Sequence, residues 1–233
     1  MQPDNKDCAH LDGATLVFDL DGTLVDTAPD LFGALHHALD GAALPKAPED
    51  HIRPFISHGA RRMIAESIVH AGETRSDAHI DDLLKNFLKH YAENVAVRST
   101  PYPSLTDILT VSAQAGAKLA VCTNKRERLA RLLLRELKLH DRFGAILGYD
   151  TLDVHKPDPR HLTETIACAG GDPDRAIMVG DSPTDVATAK AAGIPVIAVS
   201  FGYSEVHHSE LGADIVIHHY SEFLEAARML LQR

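Results

Sequence analysis

The chain has no tryptophan, three cysteines and few aromatic residues of any kind, which make up 5% of its 233 positions. Cys8, Cys122 and Cys168 are odd in number, far apart and in no Cys-x-x-Cys pair. Neither a disulfide framework nor a structural zinc site is therefore expected, and reduced thiols suit the cytoplasm. Positive charge is also in deficit, with 23 Lys and Arg against 33 Asp and Glu for a formal charge of -10. That balance argues against partnership with nucleic acid or an anionic membrane, since both draw affinity from surplus Lys and Arg. An anionic substrate would need positive charge concentrated locally. No apolar run approaches the roughly 18 residues of a membrane span, and the polar start, residues 1–7, leads into no apolar signal region. A soluble cytoplasmic protein is expected.

Histidine, by contrast, is abundant, with 15 residues that include the adjacent pairs His36-His37, His207-His208 and His218-His219. Neighbours in sequence do not share a face of a helix or strand, and the His-Glu-x-x-His spacing of a helical metal site is absent. Solvated surface is the favoured reading. A chain of this length can bury a sizeable core, either as one α/β domain or as a core carrying a smaller insert.

The run Val17-Phe18-Asp19-Leu20-Asp21-Gly22-Thr23-Leu24-Val25 delivers two carboxylates from an apolar strand into a glycine turn. Residues 14–18 are apolar and partly β-branched, as a strand buried on both faces should be. In an open α/β sheet, ligands bind beyond the carboxyl ends of the strands, where these acids fall. On these residues alone, an active-site pair and an ordinary Asp-Gly turn are equally good readings.

Residues 1–12 read as a loose tail. Helical spacing then governs about seventy residues: 30–39 with Leu31, Leu35 and Leu39 on one face, 60–70 with Met63, Ile64 and Ile68, and 80–95 with Leu83, Leu84, Phe87 and Tyr91. This block is too long for a simple crossover, which predicts a helical subdomain inserted over 27–96 in a core formed by 1–26 and 97–233. From Pro101 the pattern alternates: helix 104–115, strand 118–122, helix 126–138, strand 145–148, helix 159–169, strand 176–179, helix 184–192, strands 195–199 and 214–217, helix 221–231. Such alternation predicts a parallel sheet covered on both faces.

Each candidate for chemistry follows a predicted strand. Asp19 and Asp21 follow the first, Thr123 and Asn124 the second, Lys156 the third, and Asp181 and Asp185 the fourth, so parallel strands would bring them to one crevice. Asp19, Asp21 and Asp181 would repel one another unless a cation lay between them, and Mg²⁺ suits an all-oxygen set that leaves places for water and a phosphate oxygen. The Thr123 hydroxyl, nearby backbone N–H groups and the start of the next helix could hold phosphate oxygens, with Lys156 as a point charge.

The motifs Asp19-Leu20-Asp21-Gly22-Thr23-Leu24, Thr123-Asn124, Lys156-Pro157-Asp158-Pro159 and Gly180-Asp181-Ser182-Pro183-Thr184-Asp185 resemble, in order and spacing, the four motifs of the haloacid dehalogenase superfamily. The helical insert is similar to the cap that this superfamily places between its first and second motifs. Within the superfamily the chain most resembles phosphoglycolate phosphatases, through Ile56-Ser57-His58-Gly59-Ala60, Pro101-Tyr102-Pro103 and residues 187–193, although the family usually has glycine where Ser57 stands.

The resemblance implies a Rossmann-like α/β core with an all-helical cap, and a Mg²⁺-dependent phosphatase that takes a small phosphate ester, 2-phosphoglycolate. It implies Asp19 as nucleophile, Asp21 as the acid and base for leaving group and water, and Thr123 and Lys156 as further catalytic groups. Mg²⁺ would be held by the Asp19 and Asp181 side chains and the Asp21 backbone carbonyl, with Asp185 orienting Lys156 or a metal-bound water. Thr123, Asn124 and Lys156 would bind the phosphate. From the insert, His58 and Arg62 are expected to reach the rest of the substrate, with Arg61 and Arg53 as further candidates and an exposed helix face favoured for Arg61 and Arg62. The expected assembly is a monomer or homodimer. The rivals are a β-phosphoglucomutase-like phosphomutase, a sugar-phosphate phosphatase and, from another class, a receiver-type phospho-accepting module.

Overall fold

The apolar, β-branched segment Thr15–Phe18 forms β1, and all four of its residues are buried. The structure is a computed structural model and describes residues 8–232. In the main sheet β1 is flanked by β4 (Lys118–Cys122) and β6 (Ala176–Gly180). Outside β4 lies β5 (Ala145–Leu147), and outside β6 lie β7 (Val196–Val199) and β8 (Ile215–Ile217). All pairings in this sheet are parallel. Parallel neighbours need crossovers, and the helices that supply them cover both faces.

Alternation along each strand sorts its side chains between two cores. Leu16 and Phe18 join Val121, Val179 and Ile197 on one face, where α5 (Leu105–Gln114), α6 (Glu127–Glu136) and α9 (Phe223–Leu231) pack. Val17, Cys122 and Met178 face the other way, onto α7 (Pro159–Cys168) and α8 (Pro183–Ala192) through Leu162, Ile166, Val186 and Ala189. The chain leaves β1, returns beside it as β4, moves out to β5 and then crosses to β6 on the other side. β1 is thus the point where strand order reverses, and its carboxyl end opens on the crevice where doubly wound sheets bind ligands.

Between β1 and α5 the chain builds a helical block of α1 (Ala28–Gly41), α2 (Glu49–Ile52), a 3₁₀ turn (Arg53–His58), α3 (Ala60–His70) and α4 (Asp77–Glu93). Leu35, Leu39, Phe87 and Tyr91 are buried within it. It is entered and left through a narrow antiparallel ribbon, β2 (Val25–Asp26) paired with β3 (Thr100–Pro101). Buried Asp30 ties the two legs together, accepting hydrogen bonds from the backbone N–H groups of Arg98 and Ser99 and from the Ser99 hydroxyl at 2.7–3.1 Å.

Two expectations change. The tail reading of 1–12 does not hold for its later residues: Ala9–Leu11 form a 3₁₀ turn, and Cys8 and Leu11 are buried. Two apolar residues among polar ones carry no periodic signal; residues 1–7 of that reading lie outside the described ones. α4 begins at Asp77 rather than Ile80, because the Ser76 side chain caps it by accepting from His79 N–H, a signal independent of apolar spacing. Among the described residues no helix is long and apolar enough to cross a membrane.

Candidate active site

Asp19 stands one residue beyond β1, and its N–H extends the ladder to the Val179 carbonyl at 2.9 Å. Asp181 stands one residue beyond β6 on the adjacent strand, and Asp185 lies in the first turn of α8. Carboxylate oxygens of the three come within 4.8 Å of one another in a buried cluster. Asp185 is fully engaged. Its Oδ1 receives Lys156 Nζ at 2.6 Å, and its Oδ2 accepts from the Ser182 hydroxyl at 2.6 Å and the Ser182 N–H at 3.1 Å, closing a capping box at the start of α8. Gly180 makes this approach possible, since a Cβ there would lie 2.3 Å from Asp185 Cβ.

Lys156 Nζ also sits 2.9 Å from Asp19 Oδ1, an ion-pair distance without hydrogen-bond alignment, so that this buried oxygen has no hydrogen-bonded partner. Burial pushes the Asp19 carboxyl up to about 6; Lys156 opposes the shift and the Asp185 charge adds to it. Asp181 is raised well above the carboxylate range by burial and then by the charges of Asp185 and Asp19. Burial also works against the Lys156 ammonium, but Asp185 and Asp19 outweigh it and hold its pKa above the usual lysine range. With all three acids ionised, one ammonium leaves an excess of negative charge, with Asp19 Oδ1 lacking a hydrogen-bonded partner. That all-oxygen donor set fits a hard divalent cation.

Asp21 is placed apart from this cluster. Its Oδ1 accepts from the Thr27 hydroxyl at 2.6 Å, and Lys125 Nζ contacts its two oxygens at 2.8 and 3.1 Å. Two acids two residues apart thus receive different counter-charges, Lys156 for Asp19 and Lys125 for Asp21. The Lys125 side chain is buried and its Nζ lies 4.5 Å from the centroid of the Tyr91 ring in α4, so the helical block forms one wall of the Asp21 site. The sequence reading missed this lysine, although it directly follows Thr123-Asn124 in the same strand-end loop. It gave no role to Thr23, although Thr23 belongs to the first motif and bonds to Asp181, and it missed Thr27 and Tyr203, which bond to the acids and which no local pattern marks.

Thr123 is buried; its N–H is used by the Leu147 carbonyl, and its Oγ1 accepts from Lys125 N–H, which leaves its hydroxyl proton free to donate. One N–H at the start of the next helix is already engaged within the protein. The Glu127 N–H that opens α6 donates to Asp150 Oδ1 at 2.8 Å, a side chain from beyond β5 that could not be placed from sequence. Asn124 donates to the Lys156 carbonyl at 3.1 Å and so joins the two loops. Burial pushes the Cys122 thiol up to about 12, in keeping with a small core residue.

Asp19, Asp21, Thr123, Asn124, Lys125 and Lys156 open on a cavity of about 630 Å³, whose mouth is lined from the helical block by His58, Arg61 and Arg62. His58 ends the 3₁₀ turn before Gly59 rather than following it, and its Nε2 lies 3.4 Å from Glu205 Oε1. Arg62 pairs with Glu66 at 2.6 Å, and Arg61 with Asp77 and Asp81 at 2.8 and 3.2 Å. Arg53 is not at the cavity; it stacks over the Phe32 and Tyr203 rings.

The model of the haloacid dehalogenase-like hydrolase family matches residues 16–199, the span that carries Asp19, Asp21, Asp181, Asp185 and both lysines. The chain belongs to that family. It is an enzyme of the phosphoric monoester hydrolase class. This hydrolase is 49% identical to a phosphoglycolate phosphatase of Mesorhizobium japonicum over 93% of its own length and 96% of that protein. It is 42% identical to a phosphoglycolate phosphatase of Caulobacter vibrioides, over 95% and 93%. Among solved structures, one described as a predicted phosphoglycolate phosphatase from Haemophilus somnus 129PT superposes with a TM-score of 0.86 at 27% identity, over 93% of this chain and 98% of that one. The family implies a divalent metal, and the buried acids of this hydrolase fit one.

Proposed function

We propose that this hydrolase is a Mg²⁺-dependent phosphatase that converts 2-phosphoglycolate to glycolate and phosphate through an aspartyl-phosphate on Asp19. Residues 27–96 act as a cap over a core of 1–26 and 97–233. The observation that carries this reading is the separation of the two acids, Asp19 in a charge cluster with Lys156, Asp181 and Asp185, and Asp21 on its own lysine and threonine.

Asp19 attacks phosphorus as the bond to the leaving oxygen breaks. Asp21 delivers a proton to that oxygen, then as a carboxylate takes one from the water that attacks the aspartyl-phosphate and frees Asp19. Lys125 and Thr27 hold the Asp21 carboxylate in place for the second step. The Thr123 hydroxyl donates to a phosphoryl oxygen while Lys156, held by Asp185, opposes the negative charge gathering there. The Asp19 and Asp181 side chains and the Asp21 carbonyl would hold Mg²⁺, which would supply further neutralisation of that charge. Asn124 orients the Lys156 loop, and His58 and Arg62 at the mouth receive the substrate's carboxylate.

A cavity of about 630 Å³ has room beyond a two-carbon ester, which favours a sugar-phosphate phosphatase as the second reading. Phosphate release measured with Mg²⁺ and with a chelator, across 2-phosphoglycolate, hexose phosphates and nucleotides, separates the two. The expected result is Mg²⁺-dependent turnover with the highest kcat/KM for 2-phosphoglycolate. A higher value for a hexose phosphate would overturn the substrate assignment, and a single stable phosphorylation without turnover would overturn the phosphatase reading.

A further inference from the structure

Tyr203 lies in the loop after β7, outside every sequence motif singled out above, and is 4% exposed. Its two ends do different things. The backbone N–H donates to Asp181 Oδ2 at 2.7 Å. The hydroxyl, at the far end of the ring, accepts from the N–H groups of Thr27 and Ala28 at 2.7 and 3.0 Å and donates to Asp26 Oδ1 at 2.5 Å. Asp26 belongs to the ribbon through which the chain enters the helical block, and Ala28 opens α1. Arg53, from inside the block, lies over the ring, 5.9 Å from its centroid.

The packing leaves this residue little freedom. A Cβ on Gly202 would fall 2.2 Å from Asp181 Cβ, so the loop comes as near to that acid as a backbone without side chain allows. On the other side, a Cβ on Gly22 would lie 2.6 Å from Asp181 Oδ2 and 2.9 Å from Tyr203 Cδ2. The turn at Gly22 therefore packs against both Asp181 and the Tyr203 ring. A displacement of the ribbon must move the phenol or break three hydrogen bonds at once, and a displaced phenol pulls on the amide that holds Asp181.

We propose that Tyr203 is a positioning residue that couples the Asp181 carboxylate to the hinge of the helical block, so that whatever fixes Asp181 also fixes the hinge. Linkage makes the effect reciprocal: a loosened hinge weakens the binding of a cation at Asp181, and a bound cation quiets the hinge. The inference rests on the reading of Asp181 as a metal ligand. It explains why a chain with few aromatic residues buries a tyrosine whose hydroxyl serves the hinge and whose backbone serves an acid of the site.

The test uses Mg²⁺ alone, without substrate, on the full chain. Isothermal titration should show Mg²⁺ binding weakened about fivefold in Tyr203→Phe, although the lost hydroxyl touches no metal-site carboxylate. Arg53→Ala, a change inside the block, should shift the affinity in the same direction. Amide hydrogen exchange at Thr27 and Ala28 should slow in the wild type when Mg²⁺ is added, and the slowing should vanish in Tyr203→Phe. A purely structural tyrosine would speed exchange in the variant without making it independent of Mg²⁺. Should Tyr203→Phe fail to fold, Asp26→Asn and the wild-type exchange measurement read the same link. Unchanged Mg²⁺ affinity in the variants, with wild-type exchange indifferent to Mg²⁺, overturns the coupling alone. A wild type that binds no Mg²⁺ overturns the metal reading and the coupling with it.

Discussion

Lys156 and Arg61 are both cations that bridge two carboxylates, and nothing else about them is alike. Lys156 lies between Asp19 and Asp185 with its side chain 2% exposed, whereas Arg61 lies between Asp77 and Asp81 with 47% of its side chain open to water. Water and salt screen the second set, and such pairs contribute little to stability. In the first, each charge has been taken out of water and depends on the others for compensation. Similar contacts on paper thus build a charge cluster with shifted protonation in one place and an ordinary surface in the other.

The sharpest way to test that contrast is to remove one member of the buried set at a time. Asp19→Asn should lower phosphate release by about 10⁴-fold or more while circular dichroism shows the fold intact. Substantial turnover by the variant would remove Asp19 from the role of nucleophile. Lys156→Met should leave three buried carboxylates without their counter-charge and destabilise the metal-free protein by about 3–5 kcal/mol in urea unfolding, whereas wild-type stability would mean that the cluster carries less charge than its geometry implies.

His161, fully buried beneath the site, extends the comparison to pH. Burial, and after it the Lys156 charge, pushes its imidazole down to about 4 from 6.5. Between those values the unfolded chain binds the proton and the folded chain does not, so this contribution to stability is complete above pH 6.5 and is lost as pH falls towards 4. The loss is about 3 kcal/mol, and His161→Gln should flatten the corresponding part of the stability curve measured by urea unfolding. At the mouth the effects shrink. Arg62→Ala should raise KM for 2-phosphoglycolate about tenfold with kcat nearly unchanged, the value of one charged contact to a substrate. Arg61→Ala should leave both kinetic constants and stability as they are; a raised KM would show that it leaves Asp77 and Asp81 to meet the substrate.

The two regions were also unequally legible in the sequence. The convergence of Asp19, Thr123, Lys156 and Asp181 on one crevice could be read because each follows a segment of buried-strand composition, and parallel strands deliver their carboxyl ends to the same edge. At the mouth, His58, Arg61 and Arg62 were visible as polar residues near a glycine turn, but their neighbours could not be seen. Glu205 lies 147 positions from His58 in the chain, and Asp150, 23 positions from Glu127, takes one N–H at the start of α6. The ribbon β2–β3 escaped because two-residue strands have no period to detect.

Residue order was enough to place the acids, since burial pattern and turn chemistry are local properties written along the chain. It could not assign counter-charges. That Lys156 serves Asp19 while Lys125 serves Asp21, and that Tyr203 reaches both Asp181 and the entry to α1, was decided only when segments distant in sequence packed together. Electrostatic energies depend on separation and burial in space, and neither is a function of position in the chain.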